Sequence, residues 1–268
     1  MPKTRKIAFY GKGGIGKSTT VSNIAAALAA DGNVVMQIGC DPKSDSTISH
    51  TGNTVIPTVL SVMSEKKGSI ELDDIVFKGS DGVLCVEAGG PKPGFGCAGR
   101  GIITALEELD RLDASSVYKP DYVLYDVLGD VVCGGFALPI RKGYADSVYV
   151  VTSGERMALF AANNICQSVR NSSERGYAQV QGLILNKRNV KNEERIVEEA
   201  AAGMGAPVVC VIPRSDDIQI AEEAGRTVVS LLPDSEVSGI YRDLARRIGV
   251  RRCPASATAP RPPEGSAW

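Results

Sequence analysis

Two cysteines stand where chemistry rather than packing would put them. Cys97 lies in GFGCAGRG (94–101) and Cys133 in DVVCGG (130–135). Flanking glycines let backbone N–H groups come close to a thiolate or sulfide, which stabilises negative charge there. The other five cysteines, at 40, 85, 166, 210 and 253, fall in strand or helix patterns, at a strand end or in the tail, and read as packing or incidental. Neither Cys97 nor Cys133 has a CxxC neighbour, so one chain offers two thiolates where a [4Fe–4S] cluster ordinarily takes four. A pair of cysteines is, taken alone, more often core packing than a ligand set. The surrounding motifs must decide.

The second reactive stretch is GKGGIGKS (11–18), which follows a strand pattern and opens a helix pattern, the context a Walker A phosphate loop requires. Gly11, Gly13, Gly14 and Gly16 let backbone N–H groups close around a polyphosphate, with Ile15 between them and Thr19 continuing into the helix. Lys17 reaches the β and γ phosphates and Ser18 ligates Mg²⁺.

These residues need a frame that brings loops to one edge. Short β-branched runs recur at 6–10, 34–40, 83–88, 122–127, 147–152, 180–186 and 207–212, reading as strands buried on both faces. Segments with apolar residues at three-to-four spacing lie between most of them, for example TTVSNIAAALAA and RMALFAANNICQSVR. This alternation predicts a single α/β domain, 1–249, with a mainly parallel, doubly wound sheet and ligands at the carboxyl ends of its strands. The remaining residues, 250–268, carry four prolines and no apolar period and read as a disordered or loosely draped tail. The lone histidine, His50, reads as a polar surface residue.

Composition excludes several classes. The chain has 268 residues, 43% of them apolar, with 30 Lys+Arg against 31 Asp+Glu, so there is no long-range basic field to gather nucleic acid or an anionic membrane. The apolar runs are too short to span a bilayer and the amino end reads into a strand rather than a signal peptide, so the expected location is cytoplasmic. Seven cysteines, an odd number, fit reduced thiols or metal ligands better than disulfides.

Lys12, a second lysine at the start of the phosphate loop, resembles the deviant Walker A of nitrogenase reductases and cell-division positioning ATPases, a P-loop NTPase type in which that lysine contacts nucleotide across a homodimer. YGKGGIGKSTT, GCDPKSDST, GGPKPGFGCAGRG and DVLGDVVCGGFALPIR together resemble the nitrogenase iron protein family from Ile7 to about Gly249. The resemblance implies one [4Fe–4S] cluster per homodimer, held by Cys97 and Cys133 of both chains, and MgATP. It implies that Asp41 orients the attacking water, that Lys43 sits beside the phosphates and that Asp45 belongs to a first switch. Asp126 would join the Mg²⁺ shell and Asp130 a second switch. With Lys12, Asp41 and Asp130 form the implied catalytic set. The nucleotide base would rest near Asn186, Pro213, Arg214 and Asp216, where PRSDD departs by one residue, Ser215, from the PRD of nitrogenase. Arg100 would face a docking partner, and in some iron proteins the matching arginine is ADP-ribosylated.

The family passes electrons, drawn from ferredoxin or flavodoxin, to a heteromeric catalytic partner. The CAGRG loop resembles nitrogenase rather than protochlorophyllide reductase relatives, whereas the proline-rich tail and the unusual stretch after DPKSDST point away from nitrogen fixation. The preferred reading is the reductase of a methylthio-alkane reductase, against nitrogenase reductase proper or a chlorophyllide or nickel-tetrapyrrole reductase component. Two other classes stay open, an iron–sulfur scaffold ATPase and a positioning ATPase.

Overall fold

The computed structural model describes residues 4–66, 69–90, 98–129, 139, 144–173 and 178–249. Cys97, Asp130, Cys133 and the tail from 250 lie outside the described residues.

The strands are β1 (Arg5–Tyr10), β2 (Val35–Gly39), β3 (Phe77–Lys78), β4 (Leu84–Glu87), β5 (Tyr122–Asp126), β6 (Ser147–Thr152), β7 (Gln179–Asn186) and β8 (Val208–Ile212). The helices are α1 (Lys17–Ala30), α2 (Val59–Lys66), α3 (Ala98–Arg111), α4 (Ala114–Tyr118), α5 (Arg156–Ser173), α6 (Glu193–Met204), α7 (Asp216–Glu223), α8 (Val228–Leu231) and α9 (Glu236–Gly249). One eight-stranded sheet runs in the order β3-β4-β2-β5-β1-β6-β7-β8. Every pairing is parallel except β3 with β4. After β1 the chain builds one side of the sheet, then crosses back to build the other from β6 onward, so the crevice beyond β1 is a topological switch point.

Both faces of the sheet are covered, which is why its strands read as nearly continuous apolar runs. Ile7 and Phe9 of β1 join one buried layer with Ile24 and Leu28 of α1 and Tyr241 and Leu244 of α9. Ala8 and Tyr10, pointing the other way, join Ile102 and Leu106 of α3 and Ile165 and Val169 of α5. Parallel register then lines up the strand ends: Asp126 lies opposite both Phe9 and Gly39, and Gly39 opposite Glu87.

Two sequence expectations change. The antiparallel edge strand β3 has only two residues, too few to show any period. His50 is not at the surface. It is fully buried, its ring held between Asp81 and Gln37, because the turn before β4 folds over it. Among the described residues no helix is long and apolar enough to cross a membrane.

Candidate nucleotide site and its links to the cysteine loops

The loop between β1 and α1 turns on Gly16, whose φ of 87° is left-handed and whose added Cβ would stand 2.4 Å from Asn186 Nδ2. Asn186, ending β7, donates through that nitrogen to Ile15 O at 2.7 Å, so a neighbouring strand holds the loop in shape. Arg188 adds a hydrogen bond from Nη2 to Gly14 O. Its backbone is fixed in turn by buried Glu193, which accepts from Arg188 N at 2.9 Å and Gly154 N at 2.8 Å and so ties the loops after β6 and β7 together. The first turn of α1 has no acidic residue and no side-chain cap. Its backbone N–H groups are therefore left for an anion.

A cavity of about 420 Å³ opens over this helix end. Lys12, Gly13, Gly14, Gly16, Lys17, Ser18 and Thr19 form its floor; Asp41, Lys43 and Asp45, following β2, form one wall. Asn186, Arg214 and Asp216 form the other. The size and the cationic floor fit a nucleoside polyphosphate. Four expected residues stand back from the lining: Ile15 and Gly11 are buried behind the loop, Asp126 lies beneath Lys17, and half-buried Pro213 precedes the wall. Arg100 is exposed in the first turn of α3, away from the cavity lining.

The structure adds residues that sequence reasoning missed. Lys187 and Arg188 line the cavity directly after Asn186, where their position at a strand's carboxyl end was the available signal. Glu222 and Tyr241 reach it from α7 and α9, with nothing local in the sequence to mark them. Thr19 Oγ1 donates to Glu222 Oε1 at 2.8 Å, joining floor to wall.

At the floor, Lys17 Nζ donates to Asp126 Oδ1, and Ser46 Oγ donates to Asp126 Oδ2 at 2.7 Å. Both members of the ion pair are buried. Two strands away, on the far side of β2, buried Glu87 accepts on Oε1 from Thr47 N and Thr47 Oγ1, each at 2.8 Å, while its Oε2 has no partner. Burial above all, then the charges of Asp126 and Asp45, push the Glu87 carboxyl up to about 7 against the pull of the Thr47 hydrogen bonds.

Cys40, Cys85, Cys166 and Cys210 are free thiols, the first three buried and the last half-buried. Burial raises all four, Cys166 and Cys210 to about 11, so none is poised as a thiolate. Among the described residues no three His, Cys, Asp or Glu side chains gather as a metal site. Cys97, Cys133 and Cys253 lie outside the described residues, while stretches on either side of the first two are described. Gly90, seven positions before Cys97, packs on the wall of the cavity, since a Cβ there would stand 2.6 Å from Pro42 Cβ, between Asp41 and Lys43. Gly129, four positions before Cys133, packs on the phosphate loop, since a Cβ there would stand 1.9 Å from Gly11 O. Both cysteine loops thus leave from backbone in contact with the nucleotide site.

The sequence pattern described as "4Fe-4S iron sulfur cluster binding proteins, NifH/frxC family" matches residues 5–264. The chain belongs to this family. NifH/frxC relatives include the nitrogenase iron protein 2 of Methanothermococcus thermolithotrophicus, 50% identical over 256 residues that cover 91% of this chain and 88% of that one. The nitrogenase iron protein of Methanospirillum hungatei JF-1 is 52% identical over 247 residues, covering 91% and 87%. The NifH/frxC chain also shares its fold with the MinD cell division protein of Aquifex aeolicus, with a TM-score of 0.69, 21% identity, and 94% and 99% of the two chains covered. MinD of Pyrococcus horikoshii, complexed with Mg-ADP, gives a TM-score of 0.69 at 22% identity over 92% and 96%.

Proposed function

We propose that the chain is the ATP-driven electron donor of a nitrogenase-like reductase. It acts as a homodimer with one [4Fe–4S] cluster between Cys97 and Cys133 of each protomer. The observation that carries this reading is the double contact just described: Gly90 on Pro42 and Gly129 on Gly11 join each cysteine loop to a different side of the nucleotide cavity. A scaffold that hands its cluster away has no need for such coupling, and a positioning ATPase has no use for the two cysteines.

In this reading the phosphates of MgATP settle on the uncapped amino end of α1 and draw Lys17 from Asp126. Asp126 and Ser18 would hold the Mg²⁺, which would neutralise phosphate charge. Asp41 and Asp130 respond to the γ phosphate, Asp41 orienting the water, and Lys12 reaches the nucleotide of the facing protomer. Asn186, Arg214 and Asp216 hold the base end. Asp126 and Cys133 are seven positions apart on one segment, so a shift at the carboxylate travels down the chain to the thiolate. The cluster, when bound, supplies single electrons at low potential. Arg100, exposed where α3 opens, meets the catalytic partner.

The names of the 50–52% identical relatives favour nitrogenase itself as that partner, while the sequence features above favour methylthio-alkane reductase. Ferredoxin or flavodoxin supplies the electrons in either case, and the chain works in the cytoplasm. Reconstitution decides: reduced protein and MgATP are mixed with each catalytic component, and ammonia from dinitrogen or methanethiol from a methylthio-alkane is measured. MgATP-dependent product with one component is the expected result. Absence of electron transfer to both, by a protein that carries its full iron, contradicts the donor reading.

A further inference from the structure

A hydrogen-bonded chain runs from the turn before β4 to the carboxylate beneath the nucleotide cavity. Asp81 Oδ2 meets His50 Nδ1 at 2.7 Å, and His50 Nε2 meets Gln37 Oε1 at 3.0 Å. Gln37 Nε2, with two hydrogens to share, lies 2.9 Å from Ser46 O, 3.0 Å from Ser46 Oγ and 3.1 Å from Ser22 Oγ. Ser46 Oγ then donates to Asp126 Oδ2 at 2.7 Å. His50, Gln37, Ser22, Ser46 and Asp126 are all buried.

The direction of every bond follows from one group. Ser46 O is a carbonyl and only accepts, so the nitrogen of the Gln37 amide faces it and the oxygen faces His50. His50 Nε2 must donate to that oxygen, and Nδ1 must donate to the Asp81 carboxylate. Both ring nitrogens are donors together only in the imidazolium. Loss of one proton leaves a lone pair facing an acceptor at Asp81 or at Gln37. In the second case the amide is released to turn, and its oxygen repels Ser46 O.

We propose that His50 is a positioning residue for Asp126: through Gln37 it aims Ser46 Oγ at the carboxylate, and it does so only while both ring nitrogens carry protons. The proposal rests on the reading of Asp126 as part of the Mg²⁺-nucleotide site. It gives this chain a pH response in nucleotide binding that originates at a residue remote from the phosphates. Among the described residues, Asp81 from the turn before β4 is the charged group bonded to the ring. Gln37 from β2 and Ser22 from α1 are neutral, and the Cys85 thiol of β4, within the field of Asp81, is raised by its burial. Affinity is therefore high while both ring nitrogens of His50 donate and falls when either loses its proton. Linkage then requires MgADP to favour the doubly protonated ring.

The test uses the fact that His50 is the only histidine in the chain. Full-length, tag-free protein with isotope-labelled histidine is titrated by NMR with and without MgADP, and MgADP affinity is measured by calorimetry across the same pH range. The expected result is an upward midpoint shift of about one pH unit with MgADP, and an affinity about tenfold weaker above the midpoint than below it. His50→Gln, which still donates to Gln37 but cannot titrate, removes the His50 contribution and leaves only what Glu87, in the field of Asp126, adds to the profile. Gln37→Leu combined with His50→Leu, which replaces both partners by apolar groups, does the same, with thermal melting as the check on folding. Wild-type pH dependence in either variant overturns the proposal, as does a histidine midpoint indifferent to MgADP. Failure of wild-type protein to bind MgADP at any pH sinks the nucleotide reading and this proposal together, an outcome distinct from tight, His50-independent binding.

Discussion

Lys17 of the phosphate loop donates its ammonium to Asp126 at the end of β5, and both side chains are buried. The lysine thus has a partner from which a phosphate must draw it away. Lys17→Ala leaves the Asp126 charge buried with only Ser46 on it, so the nucleotide-free protein loses about 3 kcal/mol of stability. MgADP binding becomes undetectable by calorimetry. Lys12→Ala, by contrast, touches no such pair. It keeps most of the affinity and loses steady-state ATP turnover, because its proposed target lies on the facing protomer. Equal, wild-type-like turnover in Lys12→Ala contradicts the cross-dimer role.

Glu87 predicts an unusual dependence of stability on pH. Its native carboxyl sits at about 7 against 4.5 for the ordinary side chain, so between these values the folded chain keeps a proton that the unfolded chain releases. Stability from this group is then complete below about pH 4.5 and is lost as pH rises toward 7, by on the order of 3 kcal/mol. Glu87→Gln keeps an acceptor for Thr47 and never ionises. Thermal melting is expected to show the variant several degrees above wild type at pH 8 and level with it at pH 5. Parallel pH profiles for the two proteins would rule out a protonated Glu87.

In the proposed dimer, Cys97 and Cys133 of each protomer supply half of a shared ligand set. Cys97→Ser or Cys133→Ser therefore removes the cluster from the whole dimer rather than from half of it. Iron analysis and visible absorption of anaerobically purified variants check this, with iron near zero expected. About four iron per dimer in either variant sinks the ligand assignment.

Much of this architecture is legible in the sequence for a physical reason. Strands buried on both faces show as β-branched runs, and seven of the eight strand positions fall within a residue or two of those runs. The phosphate loop is readable because its glycines and lysines act through local backbone geometry. What escapes is whatever depends on distant packing. Glu222 and Tyr241 become cavity residues only once α7 and α9 fold over the loop. His50 sits in a stretch, ISHTGN, that reads as a polar loop, and its burial is set by Asp81 and Gln37, each more than ten residues away. Glu193 gives no local sign that it will fix the backbone of Arg188.

The central claim is that nucleotide state reaches the cluster through the segments that touch the cavity at Pro42 and Gly11. Reduced protein is incubated with MgATP, with MgADP or with neither, an iron chelator is added, and the rate of iron loss is followed by absorbance. Movement of the 127–133 segment changes the exposure of the cluster, so the account predicts clearly different rates in the three states, with MgATP the furthest from nucleotide-free protein. Three identical rates, in protein shown to bind both nucleotides, would contradict it.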